Sequence, residues 1–266
     1  MKRKIIVAIF GIFFYSCVST QNGTHSIGEP VNIVTKNNVT IYQVLNGRCN
    51  VFIIADEKNC ILIDTSVKRD KKELFAKIDA FIENGYSFRA LILTHSHYDH
   101  AMNARDINIK YGMEIIIHDK EKKYINRGKN PPVVGTVTGS KIFTFFFINP
   151  ALSLKKYKPV TSCNVVDDDI YCLKSLGINA YLLYTPGHSI GSISIIVDDE
   201  IAIVGDAMVG YTKSIFPPFA TDTKLLIASW EKLINTNCSK FIPSHGTSNN
   251  RDVVIKQFDY YKNMSD

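Results

Sequence analysis

No stretch of the 266 residues reads as a membrane span. The apolar run Ile5 to Phe14 falls well short of the roughly 20 residues that a helix needs to cross a bilayer. Nor does any segment rich in Gly, Ser or Pro divide the chain, so it reads as one domain, and 45% hydrophobic residues suffice for a substantial core. Charge of one sign is scarce. The formal excess is +6, and without Lys2, Arg3 and Lys4 it is +3, too little to argue for nucleic-acid binding. Among the six cysteines there is no Cys-x-x-Cys pair, which argues against a cysteine zinc site. Beyond Cys17 an odd five remain, Cys49, Cys60, Cys163, Cys172 and Cys238. Buried thiols are the default for them, although an exported protein could oxidise some, with Cys163 and Cys172 nearest in sequence.

The N-terminus has the order of an export signal: basic Lys2 to Lys4, apolar Ile5 to Phe14, then Ser16-Cys17. Phe14-Tyr15-Ser16-Cys17 resembles a relaxed bacterial lipobox, whose cysteine is acylated and becomes the new N-terminus, although bulky Tyr15 departs from the pattern. An ordinary secretory signal and an uncleaved anchor are the competing readings. The expected division is a signal over 1–17, a polar tether over 18–30 and a folded domain over 31–266. The expected location is the cell envelope: a lipoprotein on the membrane surface if Cys17 is acylated, a soluble periplasmic or secreted protein otherwise.

Histidine is sparse too, seven in all, yet three of them crowd into Thr94-His95-Ser96-His97-Tyr98-Asp99-His100, directly after the apolar run Ala90 to Leu93. A buried strand that opens into a loop aims several short side chains at one point, and imidazole with carboxylate suits zinc, or iron or manganese. Three further candidates repeat the plan. His188 follows Ala180 to Leu183 through Tyr184-Thr185-Pro186-Gly187; Asp206 ends Ile201-Ala202-Ile203-Val204-Gly205; His245 follows Phe241-Ile242-Pro243-Ser244. Each is a short hydrophobic strand, a turn-forming residue, then a ligand type; the glycines and prolines let the backbone turn sharply and approach a metal closely.

From about Val31 to its end the chain resembles the metallo-β-lactamase fold superfamily, whose pattern is His-x-His-x-Asp-His, Pro-Gly-His, Gly-Asp and a final His, all present here in order. Ser244 stands where many members have glycine. The resemblance implies an α/β fold, a four-layer αββα sandwich of two mixed β-sheets with helices outside. It implies two divalent ions, zinc or else iron or manganese: one held by His95, His97 and His188, the other by Asp99, His100 and His245, with Asp206 bridging. The implied chemistry is hydrolysis of a small-molecule substrate, an acidified water attacking a carbonyl (ester, thioester, lactone) or phosphoryl centre, with Asp99 also moving a proton. Within the family, true β-lactamases generally carry cysteine or serine at the bridging position, so Asp206 argues against β-lactams. Only 21 residues follow His245, so the glutathione-binding tail of glyoxalase II is absent. A mononuclear iron oxidoreductase of persulfide dioxygenase type and a β-lactam hydrolase remain the alternatives.

The rest of the chain reads as scaffold. Strands are predicted near Val31 to Thr35, Val39 to Leu45, Asn50 to Ala55 and Ile61 to Asp64, with a hairpin turn at Asp56 to Asn59. Asp64, at a strand end, is expected either to orient a histidine through its ring N–H or to cap the following helix. Helices are predicted over Asp70 to Asn84, Asn103 to Tyr111, Leu225 to Ile234 with the single tryptophan Trp230 in the core, and Val253 to Tyr261. His118 reads as a polar strand end after Met113 to Ile117, Asp167 to Asp169 as a solvated turn, and Tyr211 and Lys213 as surface residues. The apolar run Lys141 to Ile148 is expected to pack into the core, with part of it walling the site.

Overall fold

The structure, a computed structural model, describes residues 32–136, 140–211 and 213–265; the expected signal and tether lie outside them. Among the described residues no helix is long and apolar enough to cross a membrane.

The strands form where apolar residues occupy both faces of an extended segment. In β3 (Asn50–Asp56), Phe52 and Ile54 point to one side and Val51, Ile53 and Ala55 to the other, and all five are buried. A strand apolar on both faces must be covered on both. The first sheet runs in the order β1 (Asn32–Val34), β2 (Thr40–Asn46), β3, β4 (Asn59–Ile63), β5 (Ser87–Ile92), β6 (Glu114–His118) and, after β7 (Val134–Gly135) has left it, β8 (Asn164–Val166). Neighbours are antiparallel from β1 to β4, with Glu57-Lys58 turning the β3–β4 hairpin, and parallel from β4 to β8. The second sheet contains β9 (Ile170–Cys172), β10 (Ala180–Tyr184), β11 (Ile193–Val197) and β12 (Ile201–Gly205), and continues after β13 (Phe219–Ala220), which pairs with β7 instead. Its other edge is β14 (Lys240–Pro243) and β15 (Asn249–Asn250), and of its neighbours only β12 and β14 are parallel.

One face of each sheet meets the other sheet. Ile41, Phe52, Ile61, Ile63 and Ile92 pack there against Leu182, Ile193, Ile195, Ile203 and Ile242. The outer face of the first sheet is covered by Leu74 and Ile78 of α1 (Lys71–Glu83) and Ala104 and Ile107 of α2 (Ala104–Tyr111). Over the second sheet lie Leu226, Trp230 and Leu233 of α3 (Thr223–Ile234) and Val254 and Phe258 of α4 (Arg251–Ser265). The order of layers is helix, sheet, sheet, helix, as expected. The helix ends follow the sequence: Asn84-Gly85 stops α1 with Gly85 at φ 81°, and the Asp222 carboxylate accepts from the Lys224 and Leu225 amides at the start of α3. Trp230 is fully buried and donates to the Ala207 carbonyl at 2.6 Å.

The run Lys141 to Ile148 departs from expectation. Residues 140–154 form helical turns, Ser140–Phe143, a π-helical turn Thr144–Ile148 and Asn149–Leu154, and only Ser140 and Thr144 of this segment are buried. Phe145, Phe146 and Phe147 are 67%, 62% and 62% exposed. The inward stripe at i, i+4 falls on the two hydroxyl residues, so the phenylalanines occupy the outer face instead of the core.

Candidate metal centre

Strand direction gathers the expected ligands at one edge of each sheet. β10 and β12 are both antiparallel to β11 and therefore co-directional, and β14 is parallel to β12, so the turns after all three lie at one edge. These turns carry His188, Asp206 and His245. Parallel β4, β5 and β6 likewise deliver Asp64, the His95 to His100 segment and His118 to one edge of the first sheet. The two edges meet. The Ile193 amide donates to the Thr94 carbonyl at 3.0 Å and the Asn50 amide to the Ser244 carbonyl at 2.8 Å.

Three imidazole nitrogens converge first. His95 Nε2 is 2.8 Å from His97 Nδ1, which is 3.1 Å from His188 Nε2. A tetrahedral zinc with bonds near 2.05 Å separates its ligand atoms by about 3.3 Å, close to this spacing. The remaining ring nitrogens are held by other partners: Thr94 Oγ1 at 3.1 Å for His95 Nδ1, the Pro131 carbonyl at 3.2 Å for His97 Nε2, and the Phe219 carbonyl at 2.9 Å for His188 Nδ1. The two carbonyls fix the tautomers of His97 and His188 that leave Nδ1 and Nε2 bare.

Asp99, His100 and His245 form a second group. His245 Nε2 is 3.9 Å from Asp99 Oδ2, which is also 3.9 Å from Arg48 Nε. Buried Asp64 accepts from His100 Nδ1 at 2.8 Å, from Thr94 through its amide and hydroxyl at 2.8 Å each, and from Ser244 Oγ at 3.3 Å. It thus orients a histidine, the first of its two expected roles, and does not cap the following helix. Asp206 lies between the groups: Oδ1 is 3.5 Å from His100 Nε2, and Oδ2 is 3.4 Å from both His188 Nε2 and His245 Nε2. His100 Nε2 and Asp206 Oδ1 are buried without a hydrogen-bond partner. Facing orphan donors of this kind fit a divalent ion between them.

The electrostatics differ between the groups. Burial and neighbouring imidazoles press His95 well below the ordinary histidine range, and burial with His188 brings His97 down to about 3. Burial also lowers His188. These three rings are neutral and ready to donate lone pairs. Burial opposes charge on His100 and His245 too, but the carboxylates of Asp206 and Asp64 raise the first well above the usual range, and Asp206 raises the second. Despite burial, His245, His100 and His188 hold Asp206 far below the carboxylate range. A cation binding in the second group therefore displaces protons from its histidines.

All seven expected ligands are brought together. The other candidates are not part of the cluster. His118 is buried, accepts from the Lys120 amide and stacks on Tyr184 at 4.2 Å; Asp169 pairs with Lys232; Tyr211 and Lys213 are exposed. The five cysteines are free, with Cys163 half-buried and Cys172 exposed. Gly187 (φ 139°) makes the turn expected of it and also admits the helix beside it, because a Cβ there would lie 2.4 Å from the backbone of Leu226.

Sequence reasoning missed three residues. Fully buried Glu121 ties the first triad together: Oε2 accepts from the amide and hydroxyl of Ser96, and Oε1 from Ser189 Oγ at 2.7 Å and the Gly191 amide at 2.9 Å. Asn50 Nδ2 donates to the carbonyls of Pro243 and Gly246, both at 3.0 Å, clamping the His245 turn. Cys49 Sγ lies 3.6 Å from His100 Nδ1, its thiol pushed up to about 12 by burial.

Residues 45–245 match the family described as the metallo-beta-lactamase superfamily. The chain is 30% identical over 215 residues to probable metallo-hydrolase MJ0888 of Methanocaldococcus jannaschii, the match spanning 78% of this chain and 93% of that protein. Probable metallo-hydrolase YybB of Bacillus subtilis is 25% identical over 218 residues, 80% of this chain and 86% of its own. Among solved structures, BLEG-1 B3 metallo-beta-lactamase has the same fold at a TM-score of 0.61 with 17% identity, covering 84% of this chain and 98% of its own.

Proposed function

The chain belongs to the metallo-beta-lactamase superfamily and is a metal-dependent hydrolase; from that premise we propose that it works with two divalent ions on a carbonyl ester, thioester, lactone or phosphoester. The observation that carries the dinuclear reading is the position of Asp206, which lies 3.4 Å from His188 of the first group and 3.5 Å and 3.4 Å from His100 and His245 of the second. In this reading His95, His97 and His188 hold one ion and Asp99, His100 and His245 the other. Zinc suits the imidazole-rich set, and iron or manganese are the alternatives. The ions would supply an acidified water as nucleophile and a Lewis acid for the substrate oxygen. The chain's own part is to fix the donors. Asp64 keeps the His100 proton on Nδ1, Pro131 and Phe219 do the same for the outer nitrogens of His97 and His188, and Asp206 balances the charge between the groups. Asp99, half-buried at the rim beside Arg48, is placed to take or return a proton as the bond to the leaving group breaks.

Protein purified without chelator should contain two ions per chain. Screened across lactones, thioesters, phosphodiesters and β-lactams, it should hydrolyse one of the first three. Asp206→Cys should lose one ion before the other and lower turnover by at least about 10²-fold while the fold persists. A firm content of one ion, unchanged by added zinc, iron or manganese, would overturn the dinuclear reading.

A further inference from the structure

The helical segment over residues 140–154 turns a large apolar face to solvent. Ile142 (70%), Phe145, Phe146, Phe147 and Leu154 (80%) are its exposed residues, far more apolar surface than one short segment leaves bare without a partner. The exposure is held in place. Asn149 binds both the amide and the carbonyl of Val133 at 2.9 Å, and Asn130 Nδ2 donates to the carbonyls of Leu152 and Lys155, fastening the inner side and leaving the phenylalanines outside.

Charge says what covers this face. From residue 122 to residue 166 the sequence contains no aspartate or glutamate but eight cations: Lys122, Lys123, Arg127, Lys129, Lys141, Lys155, Lys156 and Lys158. All are exposed, and among the described residues only Lys158 is paired with a carboxylate, Asp106, at 2.7 Å. Lys141 opens the apolar segment and Lys155 and Lys156 close it. Phenylalanine and leucine on an outer face rimmed by lysine is the composition of a helix that lies in a membrane interface. Elsewhere between residues 31 and 266 no stretch free of aspartate and glutamate carries more than three cations, so the most one-signed stretch contains the apolar segment.

We propose that residues 140–156 dock on an anionic bilayer surface, Phe145, Phe146 and Phe147 entering the acyl boundary and Lys141, Lys155 and Lys156 meeting anionic headgroups. The surface is distinct from any acyl group on Cys17, which would only bring the domain near. The test uses the full chain carrying Phe146→Trp, with wild type as the background set by buried Trp230. Vesicles of phosphatidylcholine, with and without phosphatidylglycerol, carry brominated acyl chains. The F146W indole should shift to the blue and be quenched by the anionic vesicles, and wild type should not respond. Lys141→Glu, Lys155→Glu and Lys156→Glu together, on the F146W background, should weaken the response by about 10²-fold or more, on the scale of three basic residues at an anionic surface. Equal quenching by vesicles of phosphatidylcholine alone would overturn the proposal. So would an indole that no vesicle quenches, whether it responds to a single-stranded oligonucleotide or shifts with protein concentration alone, which would mark a second copy on the face.

Discussion

Asp64→Asn keeps the shape of the side chain and removes its charge, and its consequence follows from counting protons. Asp64 Oδ1 accepts from the Thr94 amide, and Oδ2 from the Thr94 hydroxyl and His100 Nδ1, each at 2.8 Å, with Ser244 Oγ at 3.3 Å. An amide has a single acceptor oxygen. If that oxygen takes the Oδ2 position, the NH2 faces the Thr94 amide, donor against donor. If it stays at Oδ1, the NH2 faces His100 Nδ1, and the hydroxyls can rotate but the ring cannot. His100 then moves its proton to Nε2, the atom that should donate a lone pair. Loss of such an orienting partner costs about 10- to 100-fold in metal affinity, or about 1.4–2.7 kcal/mol. One charge-assisted hydrogen bond is lost as well, about 2 kcal/mol, which lowers thermal unfolding by about 4–8 °C in a domain of this size. Competition with a chromophoric chelator reads the affinity of each ion. The variant should weaken the ion held by His100 and spare the one held by His95, His97 and His188. Affinities within about threefold of wild type for both ions would refute the reasoning.

Two further outcomes are expected. In Glu121→Gln either orientation of the amide sets an NH2 against a backbone N–H, of Ser96 or of Gly191, at a fully buried site. Calorimetry and metal titration should show a loss of about 2–3 kcal/mol, with the ion of the first triad released first; unchanged stability would mean that the clamp is idle. The second concerns acid. In chelator-stripped protein His95, His97 and His188 have folded pKa values below the unfolded value of about 6.5, His97 near 3. Between those values the unfolded chain binds more protons, so stability should fall as pH drops from about 6.5 toward 3. His100 and His245, raised in the fold, contribute below about 6.5 and lose that contribution only at higher pH, so they do not reverse the slope in this window. Urea midpoints at pH 6.5 and pH 5 check it, and a higher midpoint at pH 5 would contradict it.

The clustering of the seven expected ligands was legible because each follows a strand that announces itself. Ile201 to Val204 is apolar on both faces and ends in Gly205, so Asp206 could be placed at a sheet edge from sequence. Asp64 was legible by the same rule. Glu121 was not: Lys120-Glu121-Lys122-Lys123 has the composition of a solvated face, and only contacts 25 to 70 residues away show that its carboxylate is buried. Asn50 and Cys49 escaped for the same reason, since their partners lie in the other sheet's edge and in the metal cluster. The phenylalanine run failed differently. Hydrophobicity indicates burial somewhere, but which face of a helix turns inward depends on what it is fastened to, here Asn149 on Val133.

Each proposed ion draws ligands from both sheets: His95 and His97 with His188, and Asp99 and His100 with His245. Ions so placed would staple the edges of the sandwich, and the chain's own contacts join the same edges. The aliphatic layer between the sheets is continuous from Ile41 and Phe52 to Ile195 and Ile242, and neutral groups join the edges at Ile193 with Thr94 and at Asn50 with Ser244, Pro243 and Gly246. Glu121 ties the turns of His97 and His188 through Ser96, Ser189 and Gly191 with no metal involved. The chain's own groups thus join the edges alongside the proposed ions, whereas the fold of small zinc domains rests on the metal. These contacts hold donors that lie within about 3–4 Å of one another, and groups oriented in this way are placed to act on a substrate together.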